Sequence, residues 1–281
     1  MLLCAGILRE NWSLKQPLVI TIADLTVAVN VQPSDLRDRL CERYHLFISP
    51  TNEPAVTIDC TLEPGVQYIP QEKHTTWVSN VSIEGDVLHY ESYREKGTLD
   101  LKTRQGQITL DPGSDIENFL RVVYAWLCLQ HGSLLLHGAG VVKDGVGYVF
   151  FGPSGAGKST TAGLAAETAT VLSDDIVIVR RDGDAYRLCG VPFFGSLNDF
   201  PPHNMSVPLK GIYRLHQDVW HHVEPLSSAQ AVAELSASAP FIVQHSSLGA
   251  ELLATCFRLA RKVPTRQLFF KRTPDFWKVI E

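Results

Sequence analysis

The stretch Gly152-Pro-Ser-Gly-Ala-Gly157-Lys158-Ser159 satisfies the pattern GxxxxGK[ST]. Residues of these types at this spacing suit the holding of a polyphosphate. Gly152, Gly155 and Gly157 let the backbone turn without a Cβ and aim N–H groups inward. A helix starting at the loop's end adds partial positive charge. Lys158 is placed to reach terminal phosphates, and the Ser159 hydroxyl is placed to ligate Mg²⁺. Nucleotide contacts are therefore expected from Gly152, Pro153, Ser154, Gly155, Ala156, Gly157, Lys158, Ser159 and Thr160. "VGYVFF" before the loop reads as a buried strand and "STTAGLAAETA" after it as a helix, which is the context the pattern requires.

Two further groups could act on a bound phosphate. "TATVL" reads as a strand ending at Ser173-Asp174-Asp175, next in sequence to the loop's helix. One carboxylate at such a strand end can hold Mg²⁺; the other can take a proton from an attacking hydroxyl, which is a poor nucleophile unaided. A solvated Asp-Asp turn is the alternative reading. His137 ends the preceding strand "SLLLHGAG"; it reads equally as a hydrogen-bonded core histidine or as a residue that tunes an acid or contacts phosphate.

The elements that must position these groups occupy the second half of the 281-residue chain. Residues 1–112 read as a β-rich domain of unassigned role. "PLVITIADLTVAV" and "AVTIDCTL" are β-branched runs, and "PSDLRDRLCERY" between them is predicted helical, starting near Ser34 or Asp35. Strands follow, with turns expected at Glu84-Gly85-Asp86, Lys96-Gly97 and Gln105-Gly106, so antiparallel hairpins are predicted. The apolar N-terminal stretch "MLLCAGILRE" reads as an edge strand rather than a leader. "DPGSD" at 111–115 marks a boundary. Beyond it, Ile116, Phe119, Leu120, Val123 and Leu127 keep helical spacing, and Ser114 with Glu117 fits a capping box. Residues 113–281 then alternate strands and helices, as in an α/β layer architecture.

"IVIV" and "AYRL" are predicted to form a hairpin closed at Asp182-Gly183. The proline-bearing segment from Gly190 to Pro208 reads as an acceptor-binding loop or an ordinary connection. His216, His221 and His222 lack regular ligand spacing and read as a solvated face. A late helix is predicted to bury Leu248, Leu252, Leu253, Phe257 and Leu259, with Arg258, Arg261, Lys262 and Arg266 as phosphate clamps or solvated charges.

Composition bounds the function. Apolar residues make up 45% of the chain and charged residues 20%, the balance of a globular protein with a core. A net charge of −5 gives no broad basic field for nucleic acid. No run approaches the ~20 apolar residues of a membrane helix. Six scattered cysteines without a CxxC pair favour a reducing cytoplasm over a zinc or disulfide framework.

Three blocks in order, "LLLHGAGVV", "GYVFFGPSGAGKST" and "VLSDDIVIV", resemble the catalytic domain of the HPr kinase/phosphorylase family over roughly Leu134–Gly190. The resemblance implies a P-loop, phosphoenolpyruvate-carboxykinase-like α/β core behind a β-rich α+β N-terminal domain. It implies an active-site role for His137, phosphate contact by Lys158, magnesium ligation by Ser159 and proton acceptance by Asp174, with Asp175 its acidic neighbour and a further metal ligand. The sequence departs from that family at Thr160, where Glu is common, and at Arg187 and Cys189, where a carboxylate and an arginine are expected. The reading that follows is an ATP- and Mg²⁺-dependent phosphotransferase acting on a hydroxyl, a serine of a protein or peptide being the expected acceptor. A nucleotide-binding regulatory module and a small-molecule kinase are the alternatives, and a homo-oligomer is left open.

Overall fold

The run Leu18–Val31 is two strands rather than one. β1 (Leu18–Ile22) and β2 (Leu25–Val31) pair antiparallel. Their turn residues Ala23 and Asp24 take φ of 53° and 62°, the left-handed pair that matches strand twist in a two-residue hairpin. Ala-Asp carries none of the Asn-Gly signal of such turns, so the break is invisible in the sequence. The structure, a computed structural model, describes residues 16–32, 35–49, 53–70, 78–193, 195, 200–242 and 246–280. The predicted N-terminal edge strand and the helix start at Ser34 lie outside these residues.

The chain divides into two compact units, Met1–Phe119 and Leu120–Glu281. In the first, α1 (Asp35–Arg43) is followed by β3 (Val56–Leu62), β4 (Ser79–Glu84), β5 (Val87–Ser92), β6 (Glu95–Asp100) and β7 (Gln105–Leu110). They build one seven-stranded sheet in the order β1-β2-β3-β7-β6-β5-β4. β3 runs parallel to β2 and β7, and the other pairs are antiparallel. The turn at Gly85 forms as predicted, with φ of 60°. Gly97 and Gly106 do not break strands; they sit inside β6 and β7. A Cβ on Gly97 would lie 2.9 Å from the Gln107 carbonyl oxygen and 3.1 Å from the Phe119 ring, so glycine serves a close approach there and not a turn.

α2 (Glu117–Gln130) begins without the Ser114 capping box. The Glu117 N–H donates to Asp115 Oδ1 at 3.0 Å, and the Glu117 carboxylate is taken by Arg43. A long-range ion pair has displaced the local cap. The division between the units falls inside this helix, a few residues beyond the 111–115 stretch.

The second unit holds β8 (Leu134–Lys143), β9 (Val146–Phe151), α3 (Lys158–Ala165), β10 (Thr170–Ser173), β11 (Ile176–Asp182), β12 (Ala185–Cys189), β13 (Ser206–Gln217), β14 (His222–Pro225), α4 (Ser228–Ala237), α5 (Ser246–Lys262), β15 (Thr265–Phe270) and α6 (Trp277–Ile280). Its eight-stranded sheet runs β10-β8-β11-β12-β13-β15-β14, with β9 between β8 and β13. Only β13 with β9 and with β15 is parallel. β8 is long enough to serve three partners: Leu134–His137 face β11, while Gly138–Lys143 face β9 and, in part, β10. Phe150, Ala162, Ala165, Leu215, Phe270 and Phe276 belong to one buried core cluster of this unit.

The predicted β11–β12 hairpin at Gly183 forms, and α4 opens on a capping box of Ser227 with Gln230. On α5 the buried stripe is Leu252, Thr255, Cys256 and Leu259, whereas Leu253 and Phe257 are 51% and 47% exposed. The stripe is shifted because Cys256, small and apolar, takes the core position. The described segment has mixed α/β structure with two sheets, and no helix among the described residues is long and apolar enough to cross a membrane. The five described cysteines are all free thiols.

One buried acid makes the first unit pH-sensitive. Glu95 is 2% exposed and accepts a hydrogen bond from Tyr90 Oη at 2.7 Å. Burial pushes its carboxyl from 4.5 up to about 7. The fold therefore keeps a proton that the unfolded chain has lost, so the contribution is fully present below about pH 4.5 and drains away as pH rises through about 7. Chemical denaturation should show this unit roughly 3 kcal/mol weaker at pH 8 than at pH 4.5 from this group. Glu95→Gln, which keeps an acceptor for Tyr90, should flatten the profile.

Candidate functional site

The glycine loop Gly152–Gly157 begins where β9 ends. Phe151 pairs with Gly138 on one side and Arg214 on the other, so register sets His137 beside the loop's first residue and Arg214 beside the last residue of β9. Gly152, Gly155 and Gly157 have φ of 153°, 80° and 107°. At Gly157 a Cβ would also lie 2.7 Å from the Phe270 ring; the loop needs glycine there for space as well as for backbone freedom. The Gly155 carbonyl accepts from Gln217 Nε2 at 2.7 Å, and the Ala156 N–H donates to the Pro153 carbonyl at 3.1 Å. Pro153 and Ser154 are exposed, and Ser159 and Thr160 lie half-buried in the first turn of α3.

Lys158 is 9% exposed. Its Nζ donates to the Gly152 carbonyl at 2.9 Å and the Pro153 carbonyl at 3.3 Å. Burial holds its pKa below the ordinary lysine value, and the charge of Asp175 opposes that shift. The ammonium is thus folded onto the rim of the loop it serves.

A serine turn aims the acidic pair. Ser173 Oγ accepts from the N–H groups of Asp175 and Ile176, each at 3.2 Å, beside an irregularity in the β10–β8 register between Val171 and Ser173. The two carboxylates then part. Asp175 takes a hydrogen-bonded ion pair with Arg121 Nη1 at 3.2 Å, and His137 Nε2 stands 3.8 Å from its other oxygen. The backbone fixes this neighbourhood, since the Gly138 N–H donates to the Asp175 carbonyl at 2.9 Å. Asp174 is 4% exposed and borders a cavity of about 20 Å³ with Ser173, Pro192, Phe193 and Gly195. Its Oδ2 is buried without a hydrogen-bond partner among the described residues, and Gly195 lies so near Oδ1 that no Cβ would fit there.

His137 is half exposed and lines a second cavity, of about 340 Å³, shared with Gly152, Pro153, Ser154, Arg214 and Glu234. Burial and the nearby Lys158 charge hold its imidazole below the ordinary value of 6.5, with Asp175 pulling the other way. It is neutral at pH 7 and able to accept a proton. Arg214 crosses the same cavity to Glu234, Nε to Oε1 2.7 Å.

His137, Lys158 and Asp175 are therefore brought together; Asp174 is adjacent in sequence but borders a different cavity. Arg121, Arg214 and Gln217 escaped the sequence reading. Arg121 had a signal, being the single charged side chain between Glu117 and His131 in a largely apolar helix; Arg214 and Gln217 had none. Arg187 is held by Ser206, Nε to Oγ 2.8 Å, and Cys189 is buried, so that stretch offers no metal site. Arg258, Arg261 and Lys262 line a cleft of about 190 Å³ with Arg181 and Tyr186, which none of the loop residues borders. The segment around 190–208 is only partly described. His216 and His222 are not a loose solvated cluster: both stack on Phe269, with ring centroids 4.6 and 4.4 Å away.

A magnesium ion finds a limited protein site here. Ser159 stands in the first turn of α3, but both oxygens of Asp175 face existing partners, and no group of three or more metal-type ligands occurs among the described residues. Those residues would suit an ion brought in on phosphate oxygens, as Mg²⁺ commonly is, and Ser159 is the residue that would hold it.

Residues 114–281 match the family described as SynChlorMet cassette protein ScmC. The match spans more than half of the chain, which belongs to that family. No curated protein matches it. The assignment to the HPr kinase/phosphorylase family is thereby corrected. The three blocks behind it cover only a strand, a phosphate loop and an acidic turn, and the positions that would have separated the families, Thr160, Arg187 and Cys189, already departed.

The loop's geometry separates two glycines that look alike in sequence. Gly155→Ala meets no neighbour within 4 Å and should cost only backbone strain, about 1 kcal/mol. Gly157→Ala adds the collision with Phe270 and should cost roughly 3 kcal/mol. Thermal unfolding of the two variants should rank them in that order.

Proposed function

We propose that this ScmC-family chain is an ATP-dependent phosphotransferase that moves the γ-phosphate to a hydroxyl, a serine of a protein or peptide being the expected acceptor. The observation that carries the reading is that a neutral His137 shares a cavity of about 340 Å³ with Gly152, Pro153 and Ser154 of the glycine-built loop, whose Gly152 and Pro153 carbonyls hold the buried Lys158. The loop's backbone and Lys158 bind the β- and γ-phosphates; on substrate entry Lys158 exchanges the Gly152 and Pro153 carbonyls for phosphate oxygens. Magnesium, when bound with the nucleotide, neutralises charge on the phosphates. The acceptor hydroxyl enters beside Pro153 and Ser154, in line with the terminal phosphate.

The proton of that hydroxyl goes to His137 Nε2. Asp175, 3.8 Å from it, stabilises the imidazolium that forms, and Arg121 holds Asp175 in place. This moves the base role away from Asp174, the residue suggested by the sequence, because the cavity bordered by Asp174 contains no loop residue. The free thiols of the five described cysteines suit a reducing, cytoplasmic setting.

A second reading draws on the same lysine. Its carbonyl contacts close the loop on itself, as would suit a nucleotide-binding regulatory module with little turnover. Incubation with γ-labelled ATP and serine-containing peptides separates the two: the first reading requires label on a hydroxyl, the second yields free phosphate or none. A small-molecule kinase would label a free alcohol instead.

Lys158→Ala should lower transfer by roughly 10²-fold or more. His137→Ala should lower it comparably, within the 10²–10⁴-fold typical of a lost base. Because burial and Lys158 lower the His137 pKa, wild-type kcat/KM should hold down through pH 6.5 and fall only at lower pH, as the imidazole gains its proton. Asp174→Asn should stay within about threefold of wild type; a loss on the scale expected of a missing base would return that role to Asp174.

A further inference from the structure

β13 overshoots the phosphate strand. Its residue Arg214 pairs with the last residue of β9, and three more residues carry it alongside the loop, where Gln217 Nε2 reaches the Gly155 carbonyl. The connection from β13 to β14, residues 218–221, is pinned at both ends. The Asp218 N–H donates to the Phe270 carbonyl at 2.9 Å, and His221 Nε2 bonds Thr273 Oγ1 at 2.9 Å. Phe270 is the ring packed against Gly157, so this turn and the phosphate loop share one support.

On that fixed turn Val219 and Trp220 are 70% and 75% exposed, the most exposed of the large apolar side chains described. Holding an indole in water forgoes the burial that apolar side chains usually gain. Trp220 is three residues from Gln217, a span of at most about 10 Å. Arg272 stands nearby, with Nη2 3.5 Å from Gln217 Oε1. A nucleotide seated by its terminal phosphates directs its sugar and base out of the loop, and backbone amides recognise phosphate without reading the base. What the base lacks is a flat apolar face within reach, with positive charge on the way for the α-phosphate. Trp220 and Arg272 supply both.

We propose that Trp220, backed by Val219, is the stacking surface for the base of a purine nucleoside di- or triphosphate held in the loop. The proposal rests on the phosphate-cradle reading above, and it names the base recognition that the loop itself cannot provide.

Calorimetric titration with Mg-ATP and, separately, with Mg-tripolyphosphate tests it, since the second ligand has the phosphates and no base. The wild type should bind ATP more tightly than tripolyphosphate. Trp220→Ala should raise the Kd for ATP roughly tenfold and leave that for tripolyphosphate within twofold, which also shows the variant is folded. Trp220→Phe should restore most of the ATP affinity. If Trp220→Ala leaves both affinities unchanged, the stacking proposal falls and the cradle stands. If it weakens both equally, Trp220 supports the loop and does not touch the base, and the proposal also falls. Wild-type protein that binds neither ligand would overturn the cradle reading together with this one.

Discussion

A lysine ammonium kept out of water must be compensated, and the second unit is arranged around that requirement. Lys158 is fixed by its place at the start of α3, directly above apolar Ala162 and Ala165 that lock the helix to the sheet. Two carbonyls of its own loop solvate it, and Asp175 supplies the opposing charge. Carbonyl contacts of this kind are modest in net free energy, on the order of 1 kcal/mol each and somewhat more to a charged group. A polyphosphate oxygen carries full negative charge and makes a stronger, charge-assisted bond. On the proposed reading, the resting contacts hold the lysine without competing effectively against such an anion.

The compensation extends outward in one chain of contacts. Asp175 balances Lys158, Arg121 balances Asp175, and His137 remains neutral between them because burial and the lysine both disfavour its charge. Removing Arg121 would leave a largely buried carboxylate facing only a neutral imidazole and a lysine pledged elsewhere, a situation more costly than the pair is stabilising. The geometry comes from β8, whose change of partner at Gly138 lets one strand pair with β11 on the side of the acidic turn and with β9 on the side of the loop. One strand's register thus sets the separation of the imidazole from both.

The first unit is held by different means. Its sheet tolerates Gly97 inside a strand because the Phe119 ring fills the space that a side chain would take. It also carries a buried acid whose stability is greatest when protonated. These are properties of a packed scaffold, and they explain why glycine positions there mislead a reading based on turns. Turn chemistry and close packing both select glycine, and only the neighbours tell which one applies.

Local rules were enough for whatever depends on neighbours along the chain. The strand, glycine loop and helix around Gly152–Ser159 and the Asp182-Gly183 hairpin follow from the preferences of residues near in sequence. The sequence also singled out His137, Lys158 and the Asp174-Asp175 pair. It could not say which carboxylate faces the lysine, because adjacent residues at a strand end diverge and only the turn at Ser173 and the pairing with β8 decide their directions. Nor could it find Arg214 or Gln217, which come to the loop on a strand that pairs in parallel with β9 from about sixty residues later. Such pairing is selected by burial summed over a whole sheet, a quantity that no short window of sequence contains.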